Sequence, residues 1–513
     1  ERQALAPRFR AHQLLFSLRL PPPGVAGVFL RGVRKARRMP QVPGRALGLQ
    51  FDSWSFWLVL WPATVAALWA VRGRLLMRNL VLLGASYSFY AAWDVRFLAL
   101  LLVSSLVDYS LARLIEGRPW HRRRFVLLSI VVNLGILFTF KYYSFFLVEL
   151  RALLGLSPAP NLLIDVGVPV GLSFYTFQTL GYTIDVARGK LKAEASLLRY
   201  CCFVSFFPQL MAGPIERGRD LLPQFSTLRL PQGKELERYS WWIVWGIFLK
   251  SFVARGCSSF VDPCFSDPSR CDATALVAAQ GFFVVQLYAD FAGYSAMAIG
   301  LAGLLGFRLS ENFNSPLLAR SVVEFLKRWH LTLTRWLRDY VFYYVHRRFG
   351  RGPWALLFAT LVYLALIGFW HGPQLGYVLC FAIGIVHFVP RIFFGLRNAD
   401  ERVPLRWLDA PKVLVTFCFL ALHLTLFRAG TLDRAHDFFL ELVSASWSAP
   451  SVDVVVFGLF CAGLLLLERW VRSWRGLPSR LPARLAVRLV SLAMVYVAAA
   501  GFYRPQPNIY FQF

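Results

Sequence analysis

The sequence predicts an all-α polytopic membrane protein, and three observations carry that prediction: composition, apolar runs and the placement of charge. Of 513 residues, 57% are hydrophobic and 16% charged, where soluble domains carry roughly 45–50% apolar and about 25% charged residues. That excess suits a chain solvated by lipid. Runs approaching the roughly 20 apolar residues needed to cross a bilayer occupy residues 54–71, 125–140, 354–370, 413–427 and 454–467. Residues 80–93 and 97–111 are too short to span upright and read as a close helical pair in a thin or protein-lined region. A window count gives about nine to twelve crossings plus re-entrant pieces.

The net charge of +28 could suggest nucleic acid, but the basic residues sit in short loops between apolar runs. Arg72, Arg74 and Arg78 form one cluster, Arg113, Arg118 and Arg122 to Arg124 a second, and residues 469–488 a third. Such placement is what retention of Lys/Arg loops on the cytoplasmic side and attraction to anionic lipid produce. Membrane lipid is therefore the expected surroundings, and nucleic acid is excluded as a partner.

Residues 1–50 differ from the rest. They carry ten Lys/Arg against one Glu, with three consecutive prolines at Pro21 to Pro23, and no run long enough for a signal peptide. If the Arg72–Arg78 loop is cytoplasmic, one crossing puts this basic stretch outside, against the charge rule. The expectation is a basic extension over 1–50, either disordered or foreign to a native chain that begins nearer Met39, and a single membrane domain over 51–513.

Most of the eight cysteines fall in apolar runs and read as small core residues. Cys257, Cys264 and Cys271 are spaced seven apart in what reads as a polar loop. Residues 258–272 there hold Asp262, Asp267 and Asp272 against Arg270 alone, so the segment is expected outside the cytoplasm. The spacing permits one disulfide and leaves one thiol over. No zinc-ligand spacing appears, so no metal is expected.

Between residues 166 and 217 the apolar pattern is interrupted by Pro169, Gly171, Gly181, Pro208, Gly213 and Pro214. Broken helices at membrane depth survive only where protein buries them or a wet cavity adjoins them, which is the first sign of a functional interior. Residues 274–306 form a long apolar stretch with a single acid, Asp290. Ionisable groups inside spans are costly and usually pair or line a path.

At ~100° per residue, residues 324–340 divide into two faces. Phe325, Leu326, Trp329, Leu333, Trp336, Leu337 and Tyr340 lie on one side, and Glu324, Lys327, Arg328, Thr334, Arg335, Arg338 and Asp339 on the other. This predicts an amphipathic helix on the bilayer surface, with Trp329 and Trp336 as interfacial anchors. His330 falls at the edge of its apolar face and, taken alone, reads as a half-buried interfacial histidine. His371 ends an apolar span and precedes Gly372-Pro373. A neutral imidazole there can take a hydroxyl proton near neutral pH, although a helix-end histidine bonded to a carbonyl fits the pattern too. His387 and His423 read as core residues, and His121 and His346 as members of basic loops. No G-x-S-x-G elbow, P-loop or G-x-G-x-x-G fingerprint occurs, so histidine-assisted direct transfer remains.

Six ordered motifs between residue 49 and the end resemble the membrane-bound O-acyltransferase (MBOAT) family. They begin with Pro169-Val170-Gly171-Leu172-Ser173-Phe174-Tyr175-Thr176-Phe177-Gln178 and with the stretch from Phe206 to Ile215. Asp290-Phe291-Ala292-Gly293-Tyr294-Ser295 and Glu311-Asn312-Phe313-Asn314 follow. The last two, Arg328-Trp329-His330 and Trp370-His371-Gly372, are similar to the family's histidine motifs. The closing segment from Asn508 to Phe513 resembles the alginate O-acetyltransferase branch.

The resemblance implies a bundle of about eleven transmembrane helices with re-entrant and interfacial helices, tunnelled so that donor and acceptor meet near a buried histidine. It implies His371 as the catalytic histidine and His330 as a second, supporting one, with Asp290, Tyr175, Gln178, Asn312 and Trp370 lining the tunnel or supporting it. It also implies a bacterial inner-membrane enzyme with no bound cofactor and acetyl-CoA as the expected donor. The acceptor would be an exported polysaccharide, reached directly or through a periplasmic acetyl-carrier or transferase protein. Ala296, Phe388 and the basic aromatic stretch 341–350 depart from the branch pattern and leave the acceptor open. D-alanyl transfer to teichoic acid and passive translocation of an acyl group to a separate transferase stand as alternatives.

Overall fold

The computed structural model describes residues 49–51, 53–154, 168–350, 352–394 and 406–472. Apart from Leu49 and Gln50, the readings placed on 1–50 lie outside these residues, as do those placed on the closing segment Asn508 to Phe513. Every regular element among the described residues is helical. Six helices are long and apolar enough to cross a membrane, and Phe56–Ala70 is a shorter apolar one. The all-α membrane architecture is as the sequence predicts; the count near eleven does not follow from these six.

One expectation is corrected at the outset. The second member of the short pair is Val95–Gly117, 23 residues long, or about 34 Å at 1.5 Å per residue, which is enough to cross upright. It begins where Asp94 caps the Arg96 backbone N–H at 2.8 Å and runs on through Arg113, whose charged head can reach the interface.

The body is organised around Ala273–Leu304, a 32-residue helix buried along nearly its whole length. Helices in lipid associate through close backbone approach and polar contacts rather than through the hydrophobic effect. Both are present here. A Cβ on Gly246 would lie 2.5 Å from the Gly293 carbonyl oxygen, so Lys234–Phe248 rides backbone to backbone on the long helix. One turn on, Lys250 Nζ meets Asp290 Oδ1 at 2.5 Å with both side chains buried. A second polar knot joins three helices elsewhere: Asp108 accepts from Ser129 Oγ (2.5 Å), Asn133 Nδ2 (2.7 Å) and Thr183 Oγ1 (3.2 Å).

Of the interrupted segment, described from residue 168, the stretches Gly171 to Thr183 and Tyr200 to Glu216 are buried in protein, as their glycines and prolines predict, while the connection around Arg188 to Leu197 is largely exposed. Gly171, at φ 76°, opens the helix Leu172–Ala187, and a Cβ there would sit 2.5 Å from the Leu210 carbonyl oxygen. Only glycine serves this left-handed, crowded position.

Two further expectations are corrected. Cys257 and Cys264 lie in a helix, Arg255–Ser266, not in a polar loop; Cys264 and Cys271 form the disulfide and Cys257 is the thiol left over. The single amphipathic helix over 324–340 does not form. The chain is helical over Val322–Leu326, breaks at Lys327 to His330, and resumes over Leu331–Leu337 and a π turn at Arg338–Phe342. Glu324, assigned to the outer face, is buried between Arg320 and Arg328. Trp336 is buried too, its indole N–H donating to the Phe177 carbonyl at 2.8 Å. The 100° pattern described which residues are apolar, but the break at His330 buries Glu324 and Trp336 in the protein while Lys327, Arg335 and Arg338 stay exposed.

Candidate active site

The break in that stretch is what places His330. The residue adopts φ 42°, ψ 54°, a left-handed conformation rare outside glycine, and is only 2% exposed. Asn312 holds it. Asn312 Oδ1 lies 3.0 Å from His330 Nδ1 and also accepts from Thr332 Oγ1 at 2.9 Å and Thr332 N at 3.3 Å. Its Nδ2 donates to Ser295 Oγ at 3.2 Å, and its backbone carbonyl accepts from Leu331 N at 2.8 Å. An amide oxygen can only accept, so this network assigns the Nδ1–H tautomer to His330 and leaves the lone pair on Nε2.

Trp370 separates His330 from the second histidine. Its ring centroid is 5.7 Å from that of His330 and 4.7 Å from that of His371. His371 closes the helix Pro353–His371, stacks on Phe381 at 5.4 Å and meets the edge of Phe427 at 4.9 Å. It lines a cavity of about 260 Å³ together with Lys141, the chain from Val168 to Phe174, Gly372, Gln374 and Tyr377.

Of the sequence-predicted site residues, the structure gathers His330, Asn312, Trp370 and His371. Asp290 does not reach the cavity but pairs with Lys250. Gln178 donates to the Phe203 carbonyl at 2.6 Å, tying two helices together, and Tyr175 is buried beside Tyr90. Two residues were missed by the sequence reading. Lys141 stands alone in the apolar run Phe138-Thr139-Phe140-Lys141-Tyr142, and a lone cation in a span is a signal in itself. Glu216 follows the Gly213-Pro214-Ile215 motif and is buried, accepting from Ser310 N at 2.5 Å and Ser310 Oγ at 3.0 Å. Nothing local announced it, because its partner lies 94 residues away.

The disulfide end of the molecule and the cavity share one side of the bundle. His371 packs on Phe427, and the next residue, Arg428, binds Asp262 Oδ1 at 3.0 Å, two residues before Cys264. The basic loops lie at the opposite ends of the same helices: Arg347 and Arg348 precede Pro353, and Arg122 to Arg124 open the span Pro119–Val148 that carries Lys141.

These features define an integral membrane protein whose interior holds two histidines around one indole, with one of them facing a cavity. The model of the membrane-bound O-acyltransferase family matches residues 187–397. A probable alginate O-acetylase of Pseudomonas aeruginosa is 34% identical over 408 residues, covering 78% of this chain and 76% of that protein. One of Pseudomonas putida is 32% identical over 471 residues, covering 85% and 94%. A peptidoglycan O-acetyltransferase of Helicobacter pylori is 30% identical over 398 residues, covering 70% and 72%. The chain belongs to the membrane-bound O-acyltransferase family, and it is an O-acyltransferase.

Proposed function

We propose that this enzyme transfers an acetyl group from a thioester donor, acetyl-CoA by chemical class, to a hydroxyl of an exported polysaccharide at the bacterial inner membrane. The observation that carries this reading is His371 on the wall of a cavity at the disulfide-bearing end of the bundle. Disulfides persist in oxidising compartments, and the basic loops at the other end belong on the cytoplasmic side. An acceptor outside the cytoplasm would therefore meet His371 first. The relatives that act on alginate and peptidoglycan support an extracytoplasmic sugar polymer. The acceptor is taken directly or through a periplasmic transferase.

A sugar hydroxyl is a poor nucleophile at neutral pH, so its proton must leave as the new bond forms. In this reading His371 takes that proton. His330, held in one tautomer by Asn312, supports the reaction from behind Trp370. Positioned acid–base catalysis contributes roughly 10²–10⁴-fold, about 3–5 kcal/mol of barrier. His371→Ala and His371→Gln should both abolish detectable acetylation at matched protein levels, because glutamine keeps hydrogen bonding but accepts no proton. His330→Ala should lose less. The measurement is acetyl content of the exported polysaccharide together with transfer by purified protein. Near-normal transfer by His371→Gln would move proton abstraction elsewhere and remove the general-base assignment.

A further inference from the structure

Among the described residues lining the His371 cavity, Lys141 is the one cation and none is acidic. It sits in a π turn, Phe138–Tyr142, that interrupts an otherwise α-helical span. Such bulges in helices occur often at functional sites, because they turn inward a side chain that a regular helix would place elsewhere. Two successive residues of the turn reach the end of the histidine-bearing helix. Lys141 Nζ donates to the Trp370 carbonyl at 2.5 Å, and Tyr142 Oη donates to the Phe369 carbonyl at 3.0 Å. The ammonium also lies 5.5 Å from the Trp370 ring.

That is the whole of its bonding among the described residues: one hydrogen bond, two aromatic faces and no carboxylate. An ammonium has three donors. A buried cation with donors to spare, in a cavity that offers no counter-charge, suits negative charge that arrives with the reaction. We propose that Lys141 is a catalytic residue that stabilises the oxyanion formed when the acceptor hydroxyl attacks the acyl carbonyl beside His371.

This rests on the acyl-transfer reading above. The hydroxyl oxygen bonds to the carbonyl carbon while its proton passes to His371 and the carbonyl π pair moves onto oxygen. That oxygen accepts a hydrogen bond from Lys141 Nζ. Collapse re-forms the carbonyl and breaks the carbon–sulfur bond of the thioester, and the departing thiolate takes the proton from His371. Every atom and electron comes from an acyl thioester and a hydroxyl. Donors aimed at charge that develops only in the transition state act on kcat rather than on ground-state binding.

A purely structural reading is that Lys141 caps the C-terminal carbonyls of the histidine-bearing helix, and the test separates the two. The purified full chain is assayed with acetyl-CoA as donor and alginate oligomers as acceptor, with acetyl content of the host's own exported polysaccharide as a second readout. Lys141→Gln keeps a donor for the Trp370 carbonyl but no charge, and Lys141→Met keeps only the stem. Both should lower kcat by roughly 10²–10³-fold, as loss of one oxyanion donor does elsewhere, with KM and melting temperature close to wild type. Lys141→Cys should be equally impaired and should recover on aminoethylation with bromoethylamine, which rebuilds an ammonium at the same reach. Wild type treated alike serves as control.

Retained kcat in Lys141→Gln and Lys141→Met overturns the proposal. So does a rise in acceptor KM at unchanged kcat, which would make Lys141 a binding group for an anionic sugar. Loss that follows the melting temperature and resists aminoethylation makes it a cap. Failure of the general-base reading appears separately, as activity in His371→Gln.

Discussion

Asn312 does more at the site than any other uncharged residue. One amide fixes the tautomer of His330, ties the start of the next helix through Thr332 and reaches the long helix through Ser295. The loop that carries it is pinned from two sides. Ile215 N donates to Thr332 Oγ1 at 3.0 Å, and Glu216 accepts both donors of Ser310, two residues before Asn312. Burial pushes the Glu216 carboxyl up to about 7, against the Ser310 hydrogen bonds, which favour the ionised form. An acid whose folded pKa is raised takes up a proton on folding, so its contribution is fully present below about 4.5 and is lost as pH rises through about 7. Thermal stability of the wild type should therefore decline over that window by more than stability of Glu216→Gln. Melting curves of both proteins between pH 5 and pH 8 check this; parallel pH profiles would show that Glu216 is ionised throughout.

At the scale of the element, three of the four π turns among the described residues carry polar side chains that turn inward, the fourth, Phe56–Leu60, being wholly apolar. Phe138–Tyr142 carries Lys141, Leu249–Ala254 carries Lys250, and Arg338–Phe342 carries Tyr340, which packs on Trp336. The broken stretch from Val322 to Phe349 belongs to the same design. Its Trp336 ring lies 4.4 Å from Phe177 and its N–H ends on the Phe177 carbonyl, so this tryptophan anchors one protein element to another and not to the bilayer surface. Trp336→Phe keeps most of the apolar contact and leaves a buried carbonyl without its donor, at a cost of about 1–3 kcal/mol. A lower melting temperature with membrane insertion intact is the expected result. A protein released from membranes but unchanged in stability would restore the interfacial reading.

For the whole molecule, three helices agree on direction. Pro353–His371, the span Pro119–Val148 and Leu172–Ala187 each have basic residues at one end, and at or toward the other end each contributes to the His371 cavity. The Cys264–Cys271 disulfide lies toward that same side, two residues from the Asp262 that pairs with Arg428 beside Phe427. In spheroplasts, a membrane-impermeant maleimide should label Cys271 only after reduction, and Cys257 and Cys264, both buried against the core, should stay dark. Labelling only in inside-out vesicles would reverse the orientation and, with it, the side from which the acceptor arrives.

The membrane class, the motifs, the buried interruptions within 166–217 and one disulfide among three candidate cysteines were legible because each is written locally. Lipid demands long apolar runs and glycine marks a backbone too crowded for a Cβ, while the seven-residue spacing, common to both cysteine pairs, allowed one disulfide and left its pairing to the fold. His330 and His371 stood out as residues, yet their environment did not. A helical wheel assumes an unbroken helix, so it could not show that the chain turns left-handed at His330 and buries Glu324 and Trp336 within the protein. Asp290, Lys250, Lys141 and Glu216 acquire their meaning from partners 40 to 229 residues distant. In a medium without water every buried polar group must be satisfied by the protein itself. Sequence therefore determined which costly residues this enzyme carries into the membrane, and only the tertiary structure decided which of them neutralise one another and which are left facing the cavity.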